Sequence, residues 1–251
     1  MIEQLSIDLT NYCTKQCDFC YNHSNAKGST FWKTKEVVKF SLDCIDNGVK
    51  AISLGGGEPF EYAGIFKIIE VLYPFCYLSI TSNGLPLDNP QIKKGLKQFK
   101  PDKIHLSIHY PDNNKEINRI ERQIKLIESL DIKAGVNLLI SKNNIKSAKR
   151  VYSSLKNLLS EDQIILVPIR SHDIPSPSQV SYITEGKPFQ SPTCLLGCRK
   201  PENFCSVSWD KKVNWCSFAK GKIPLRDLSY KGLIQALSLI QFSSCQNTIN
   251  S

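Results

Sequence analysis

The chain has 251 residues, 41% hydrophobic and 22% charged, with a formal net charge of +9, a balance that argues for a folded protein with a sizeable core and against a disordered or fibrous one. No apolar run reaches the ~20 residues of a membrane-spanning helix. Met1-Ile-Glu-Gln-Leu also lacks the basic start and apolar core of a secretory signal, so the expected location is the cytoplasm, with no membrane partner.

Short apolar strands alternate with helix-length amphipathic segments, the pattern of successive βα units around a parallel sheet. Strands are predicted near 4–10, 50–55, 76–81, 103–109, 132–140 and 163–169, and helices near 34–47, 61–72, 89–98, 114–129, 144–159 and 230–241. Several strands interleave polar with apolar residues: Asp8 between Ile7 and Leu9, Ser79 and Thr81 around Ile80, His105, Ser107 and His109 among Ile104, Leu106 and Ile108, and Asn137 between Val136 and Leu138. Period two sends one set to the helices and the other into a polar lumen. Six of the 13 prolines fall within 168–201, which predicts a helix-poor connection. Beyond it, Phe204–Trp209 and Val213–Phe218 read as a hairpin around Asp210-Lys-Lys. The expected fold class is α/β, a partial (β/α)6 TIM-type barrel with a small cysteine-rich C-terminal extension containing a β-hairpin and helix. Residues 1–185 are the expected core and 186–251 the extension.

Ten cysteines suggest disulfides only in a small secreted chain; here most fall in two clusters, which favours metal ligation. Cys44 and Cys76 stand alone in apolar surroundings and read as buried core residues. Residues 187–251 hold nine Lys/Arg against three Asp/Glu. That surplus suits an acidic partner, though a solvated lysine surface is the plainer reading.

Cys13, Cys17 and Cys20 form the run C-T-K-Q-C-D-F-C directly after the first predicted strand. A structural zinc ion or an ordinary iron–sulfur cluster takes four protein ligands, so three thiolates on one loop leave a coordination position for something else. A zinc loop completed by His23 is the competing reading, and it leaves a second motif unexplained. Gly55-Gly56-Gly57-Glu58-Pro59 starts 35 residues after Cys20, at the end of the second predicted strand. Glycines there let the backbone approach a ligand, and Pro59 fixes the exit into the next helix. As a phosphate loop the motif lacks the Lys-Ser/Thr that would follow.

The spacing C-x3-C-x2-C followed by Gly-Gly-Glu-Pro resembles the radical S-adenosylmethionine (SAM) family, over roughly residues 4–170. The resemblance implies a 4Fe–4S cluster on Cys13, Cys17 and Cys20, whose remaining iron is chelated by the amino and carboxylate groups of SAM. One electron then cleaves a carbon–sulfur bond and releases a 5′-deoxyadenosyl radical. It also implies that Phe19 lies near the adenine and that Gly56, Gly57, Glu58 and Pro59 support the SAM amino group. Ser82 and Asn83, with Gly84, look like the family's polar turn after the third strand. Ser107 and Asn137 are candidate ribose or carboxylate contacts, and Arg119 or Arg122 a candidate bidentate partner for the methionyl carboxylate. Ordinary turn, packing or surface roles are the alternatives for each. His105 and His109 face the lumen by alternation. His109, nearer the C-terminal end of its strand, is the candidate catalytic residue, with a structural histidine as the alternative.

The second cluster is Cys194, Cys198, Cys205 and Cys216, with Cys245 as a substitute for one of them. The segment F-C-S-V-S-W-D-K-K-V-N-W-C-S-F, then Gly221 and Leu225-Arg-Asp-Leu, resembles a shortened SPASM/twitch-like auxiliary-cluster extension. It implies a second 4Fe–4S cluster on those four residues, with zinc or no metal as alternatives. There are too few cysteines for two complete auxiliary clusters, and the usual glycine before the hairpin's second cysteine is missing.

The resemblance therefore implies a radical SAM oxidoreductase or transferase that abstracts hydrogen from a peptide or complex small-molecule substrate. An electron donor such as flavodoxin or ferredoxin is the implied partner. Nucleotide or RNA modification and activation of a glycyl-radical enzyme are alternatives within the family. A non-catalytic iron–sulfur electron carrier and a zinc-stabilised nucleic-acid-binding module stand outside it, and neither accounts for Gly56–Pro59.

Overall fold

β1 (Gln4–Thr10), α1 (Thr34–Asp46), β2 (Ala51–Gly56), α2 (Ile65–Leu72), β3 (Tyr77–Ser82) and α3 (Pro90–Gln98) follow one another as βα units in the computed structural model. It describes residues 1–169, 173–187, 195, 198–219 and 221–243. β1 pairs in parallel with β2, and β2 with β3. The helices form because apolar residues recur at three- and four-residue spacing. α1 buries Val37, Phe40 and Cys44, and α2 buries Ile65, Ile68, Ile69 and Leu72. Each such side chain contributes roughly 2 kcal/mol on burial. α3 opens on Asn89-Pro90, where the Asn89 side chain accepts from Gln91 N and Pro90 fills a position whose N–H needs no partner. The helix expected from residue 61 starts later, at Ile65, because Pro59 opens a separate 3-10 turn over Pro59–Glu61 and Gly64 stands at the helix N-cap.

A second compact unit covers residues 103–199. It contains β4 (Lys103–Ile108), α4 (Asn114–Ser129), β5 (Lys133–Ile140), α5 (Ile145–Leu155), β6 (Ile164–Pro168) and α6 (Pro177–Ile183). β4, β5 and β6 are parallel in that order. α6 corrects the helix-poor expectation for this stretch. Ser176 caps Gln179 N, Gln179 returns a bond to Ser176 N, and Pro177 sits in the first turn, so this proline starts a helix instead of preventing one.

The chain then returns to the first unit with β7 (Phe204–Val207), β8 (Lys212–Asn214), β9 (Ile223–Pro224) and α7 (Tyr230–Ser238). β7 and β8 form the expected antiparallel hairpin, with Lys211 in the left-handed region at φ 58°. β7 also pairs in parallel with β1, Gln4 opposite Phe204 through Ile7 opposite Val207. Trp32 Nε1 donates to Ser208 O at 3.1 Å, and Lys211 pairs with Glu36 at 2.9 Å. These contacts are why the segment from Lys200 groups with residues 1–102, a division different from the 185/186 boundary expected. The architecture is an open, mostly parallel α/β sheet, a partial barrel rather than a closed eight-stranded one. Among the described residues Cys44 is buried as expected, whereas Cys76 is only half-buried, its Sγ toward Leu72 O.

Candidate active site

β1 delivers the cysteine loop and β2 the glycine turn, and backbone bonds staple one to the other. Gly57 N donates to Thr10 O at 2.6 Å, and Glu58 N donates to Tyr12 O at 2.9 Å. The β1–β2 register shifts between Asp8 and Thr10, a bulge that re-aims the end of β1 where the loop begins. Gly56 has φ +110°, open to glycine at little cost. Further along, Thr14 N and Oγ1 both donate to the Glu61 carboxylate, at 3.1 and 2.6 Å.

Glu58 is the buried keystone of the turn. With no exposure, its carboxylate accepts from Phe60 N at 3.1 Å, Ser82 Oγ at 2.8 Å and Asn83 N at 2.8 Å. Burial raises its pKa to about 7, against the pull of those hydrogen bonds. Glu58 thereby ties the β2 turn to the β3 turn, and Ser82 serves that tie. Asn83 reaches the other way, its Nδ2 donating to Cys13 Sγ at 3.5 Å. Pro59 is buried at the first position of its 3-10 turn.

Cys13 is buried, and Cys17 and Cys20 are partly exposed, all three outside any disulfide. Among the described residues no three ligating side chains converge as around a single ion. A tetrahedral zinc ion would draw its thiolates to about 2.3 Å from one centre; a 4Fe–4S cluster binds each thiolate on a different iron. Three thiols outside any disulfide on one loop, Cys13 receiving an amide N–H, beside a turn held by backbone bonds, fit such a cluster with an iron left for another ligand. Phe19 sits half-buried in this loop.

Asp8 was legible as a polar residue of the inward face, but not as part of the site. Leu5, Ile7 and Leu9 are buried against the helices, and Asp8 on the opposite face is only 2% exposed. The Tyr21 hydroxyl donates to its Oδ1 at 3.2 Å. Burial raises the Asp8 pKa to about 6, opposed by the Lys222 charge and by this hydrogen bond. Part of the Tyr21 ring is exposed, while its hydroxyl turns inward; burial, then the charges of Asp8, Cys20 and Cys216, raise its pKa.

The other candidates lie on the second unit. Ser107 is buried on β4, and Asn137 on β5 lies opposite it in register. His105 hydrogen-bonds Asn137, and burial lowers its pKa to about 4, which keeps the ring neutral. His109 is engaged by Glu116: its backbone N donates to Glu116 Oε1 at 3.0 Å, and its Nδ1 lies 3.5 Å from the same oxygen. Arg119 donates to Gln123 Oε1 at 3.4 Å along α4, and Arg122 is exposed.

Of the second cysteine cluster, Cys198, Cys205 and Cys216 fall among the described residues. Cys194 and Cys245 lie outside the described residues, and Cys198 belongs to the second unit. Cys205 stands opposite Leu5 in register, so its side chain shares the helix-facing side of the sheet. It is fully buried there, as is Cys44 of α1, and burial pushes the Cys205 thiol up to about 12. Cys216 follows β8 and is partly exposed, and its charge is the smallest of the influences that raise the Tyr21 pKa. The pleat thus puts Cys205 in the helix-facing core. Cys205→Ala is expected to leave iron content unchanged and to cost about 1 kcal/mol of stability through a small core cavity. Iron assay beside denaturant unfolding checks this, and a loss of iron would return Cys205 to the ligand set.

Comparison with known proteins agrees with this geometry. The family model described as the radical SAM superfamily matches residues 7–146. A probable GTP 3′,8-cyclase from Sulfurisphaera tokodaii is 30% identical over 165 residues, which are 63% of this chain and 51% of that relative. Another from Methanocaldococcus jannaschii is 27% identical over 182 residues, 67% and 60% of the two chains. The chain spans about half the length of the first of these curated relatives. Among solved structures, Streptococcus suis SuiB bound to S-adenosylmethionine superposes with a TM-score of 0.64 at 18% identity, covering 89% of this chain and 63% of that one. The anSMEcpe enzyme with bound AdoMet and a Cp18Cys peptide gives 0.62 at 15% identity, covering 98% and 82%. At such identities the likeness is one of fold. A family match across more than half the chain, on the two motifs that the structure staples together, makes this chain a member of the radical SAM superfamily, enzymes that use a 4Fe–4S cluster and SAM.

Proposed function

We propose that this radical SAM enzyme abstracts a hydrogen atom from a peptide or complex small-molecule substrate. The observation that carries the assignment of the site is the Gly57 N to Thr10 O bond, which locks the glycine turn against the root of the cysteine loop. When bound, the cluster and SAM supply a 5′-deoxyadenosyl radical. Cys13, Cys17 and Cys20 would hold three irons, and the Asn83 amide bonded to Cys13 would tune the potential of that centre. Gly56, Gly57 and Pro59 present a backbone edge to the SAM amino group, Glu58 holds that edge in place, and Phe19 packs at the adenine. Ser107, Arg119 and Asn137 remain the choices for the ribose and carboxylate, and His109, steadied by Glu116, for the substrate.

The peptide reading draws support from the likeness in fold to SuiB, crystallised with its precursor peptide SuiA, and from the basic C-terminal part, which suits an acidic leader. A second reading, nucleotide cyclisation, draws on the GTP 3′,8-cyclase relatives. Protein reconstituted without air and given SAM and a reductant is expected to form 5′-deoxyadenosine. An acidic precursor-type peptide should raise that yield and itself lose hydrogen, while GTP should not. Consumption of GTP would replace the first reading with the second, and no 5′-deoxyadenosine with any addition would remove both.

A further inference from the structure

Asp8 touches both motifs of the site. A Cβ on Gly56 would stand 3.0 Å from both the Cα and the Cβ of Asp8, so the glycine turn lies directly on this residue. Its carboxylate receives the hydroxyl of Tyr21, which immediately follows Cys20. The two halves of the cysteine loop are anchored differently. The Cys13 half is fixed to its surroundings by Cys13 N to Asn25 O at 3.1 Å, by the paired Thr14–Glu61 bonds and by Asn83 on the sulfur. The Cys20 half is built from tight turns, Cys20 N to Cys17 O and His23 N to Cys20 O, with Gln16 and His23 both held in left-handed backbone. Non-glycine residues take that conformation only where the surroundings enforce it. Tyr21 ties this half down to β1, and Phe218 braces the tie, its ring centroid 4.8 Å from that of Tyr21 at 59°.

We infer that Asp8 is a positioning residue for the cluster, fixing the Cys20 side of the loop through the Tyr21 hydroxyl. The inference rests on the reading of Cys13, Cys17 and Cys20 as cluster ligands. The bond closes a chain ring from Asp8 along the loop to Tyr21 and back. Without it the Cys20 side loses its tie to β1 through the Tyr21 hydroxyl. A ligand sulfur displaced in this way gives up its iron more readily and changes the electronic symmetry of the cluster.

The test uses the reconstituted full chain with Tyr21→Phe, Asp8→Ala, Asp8→Asn and the Asp8→Ala/Tyr21→Phe pair. The readouts are the rate of iron release to a chelator and the paramagnetic resonance spectrum of the reduced cluster with and without SAM. A hydrogen bond to a charged acceptor predicts about tenfold faster iron release in Tyr21→Phe and Asp8→Ala, each with an altered spectrum. Because both remove one bond, the double variant should be no worse than either single one. Asp8→Asn, whose amide oxygen still accepts from the phenol as a neutral acceptor, should recover part of the loss and lie between wild type and Asp8→Ala. Tyr21→Phe keeps the ring against Phe218 and so remains informative if Asp8→Ala does not fold. Additive effects in the double variant, an unchanged Tyr21→Phe, or an Asp8→Asn as defective as Asp8→Ala would overturn the inference. Cys17→Ala run alongside separates the two levels: full iron binding in that variant would mean that the ligand assignment itself had failed.

Discussion

Glu58→Ala is expected to cost about 3 kcal/mol or more of folding stability and to abolish SAM cleavage with it. The alanine leaves the N–H groups of Phe60 and Asn83 without the acceptor they have in the buried turn. Each orphaned buried donor costs roughly 1–3 kcal/mol. The β3 turn then loses its tie to the β2 turn, and Asn83, which bonds Cys13, moves with it. Glu58→Gln keeps an oxygen for Asn83 N, and its NH2 group can donate to the Ser82 hydroxyl, but Phe60 N–H loses its acceptor, so it should cost less than the alanine, roughly 1–3 kcal/mol. The pH dependence has a definite sign. Burial raises the Glu58 carboxyl from 4.5 to about 7, so the native state holds this proton more tightly than the unfolded chain does. Its contribution is therefore full below about 4.5, declines as pH rises through about 7, and is flat above, a span of about 3 kcal/mol. Asp8, raised from 3.8 to about 6, adds a decline of the same direction in a lower window. Anaerobic denaturant unfolding between pH 5 and pH 8 should show stability falling over that range in the wild type and falling by less in Glu58→Gln. Equal slopes would mean that Glu58 is ionised in the native turn at low pH and that the burial argument is wrong.

What was legible in the sequence followed from periodicity. β1, β2, β3, β4, β5 and β6 lie within a residue or two of their expected places, because apolar residues on alternating positions, ended by Gly-Gly-Gly-Glu-Pro or Ser-Asn-Gly, leave little freedom. The two motifs were legible as well, since each is contiguous. What needed the fold was every relation between residues far apart. β7 is only four residues long, and nothing within Phe204–Val207 marks β1 as its parallel neighbour, 200 positions earlier by the Gln4–Phe204 register. That pairing then decides which way Cys205 points: a cysteine that reads as a ligand by spacing lies buried on the helix-facing side by pleat. Glu58 reads as one letter of a SAM-binding motif, yet its carboxylate is spent on Ser82 and Asn83, 24 and 25 residues away. Tyr21 reads as a residue following a cysteine, and only the bulged end of β1 beneath it makes it the partner of Asp8. Local chemistry is written locally; the groups that hold it in place are supplied by strand order.

Two glycines in one turn should behave in opposite ways, and this separates a stapled site from a merely glycine-rich one. A Cβ on Gly57 would lie 2.0 Å from Tyr12 O and 2.7 Å from Tyr12 C. Both obstacles are backbone, so no side chain can turn aside. Gly57→Ala must therefore push the β2 turn away from the root of the cysteine loop, stretching the Gly57 N to Thr10 O bond and the Glu58 N to Tyr12 O bond. Overpacking of this kind costs about 1–3 kcal/mol even where the core can adjust. The larger effect falls on the reaction, because a displacement of roughly 1 Å between groups that must meet lowers a rate about 100-fold. Gly55→Ala is the matched control. Its Cβ would meet only Asp8 Oδ1, at 3.6 Å, an ordinary contact. It should leave iron content as in wild type and the β1–β2 bonds intact, its folding cost staying within ~0.5 kcal/mol. Both variants retain all three cysteines, so iron content measured beside the rate tells misplacement from failure to assemble. Gly57→Ala with iron bound and cleavage about 100-fold down is the expected result. Wild-type cleavage in Gly57→Ala would mean that the close approach of the two motifs is not what brings SAM to the cluster.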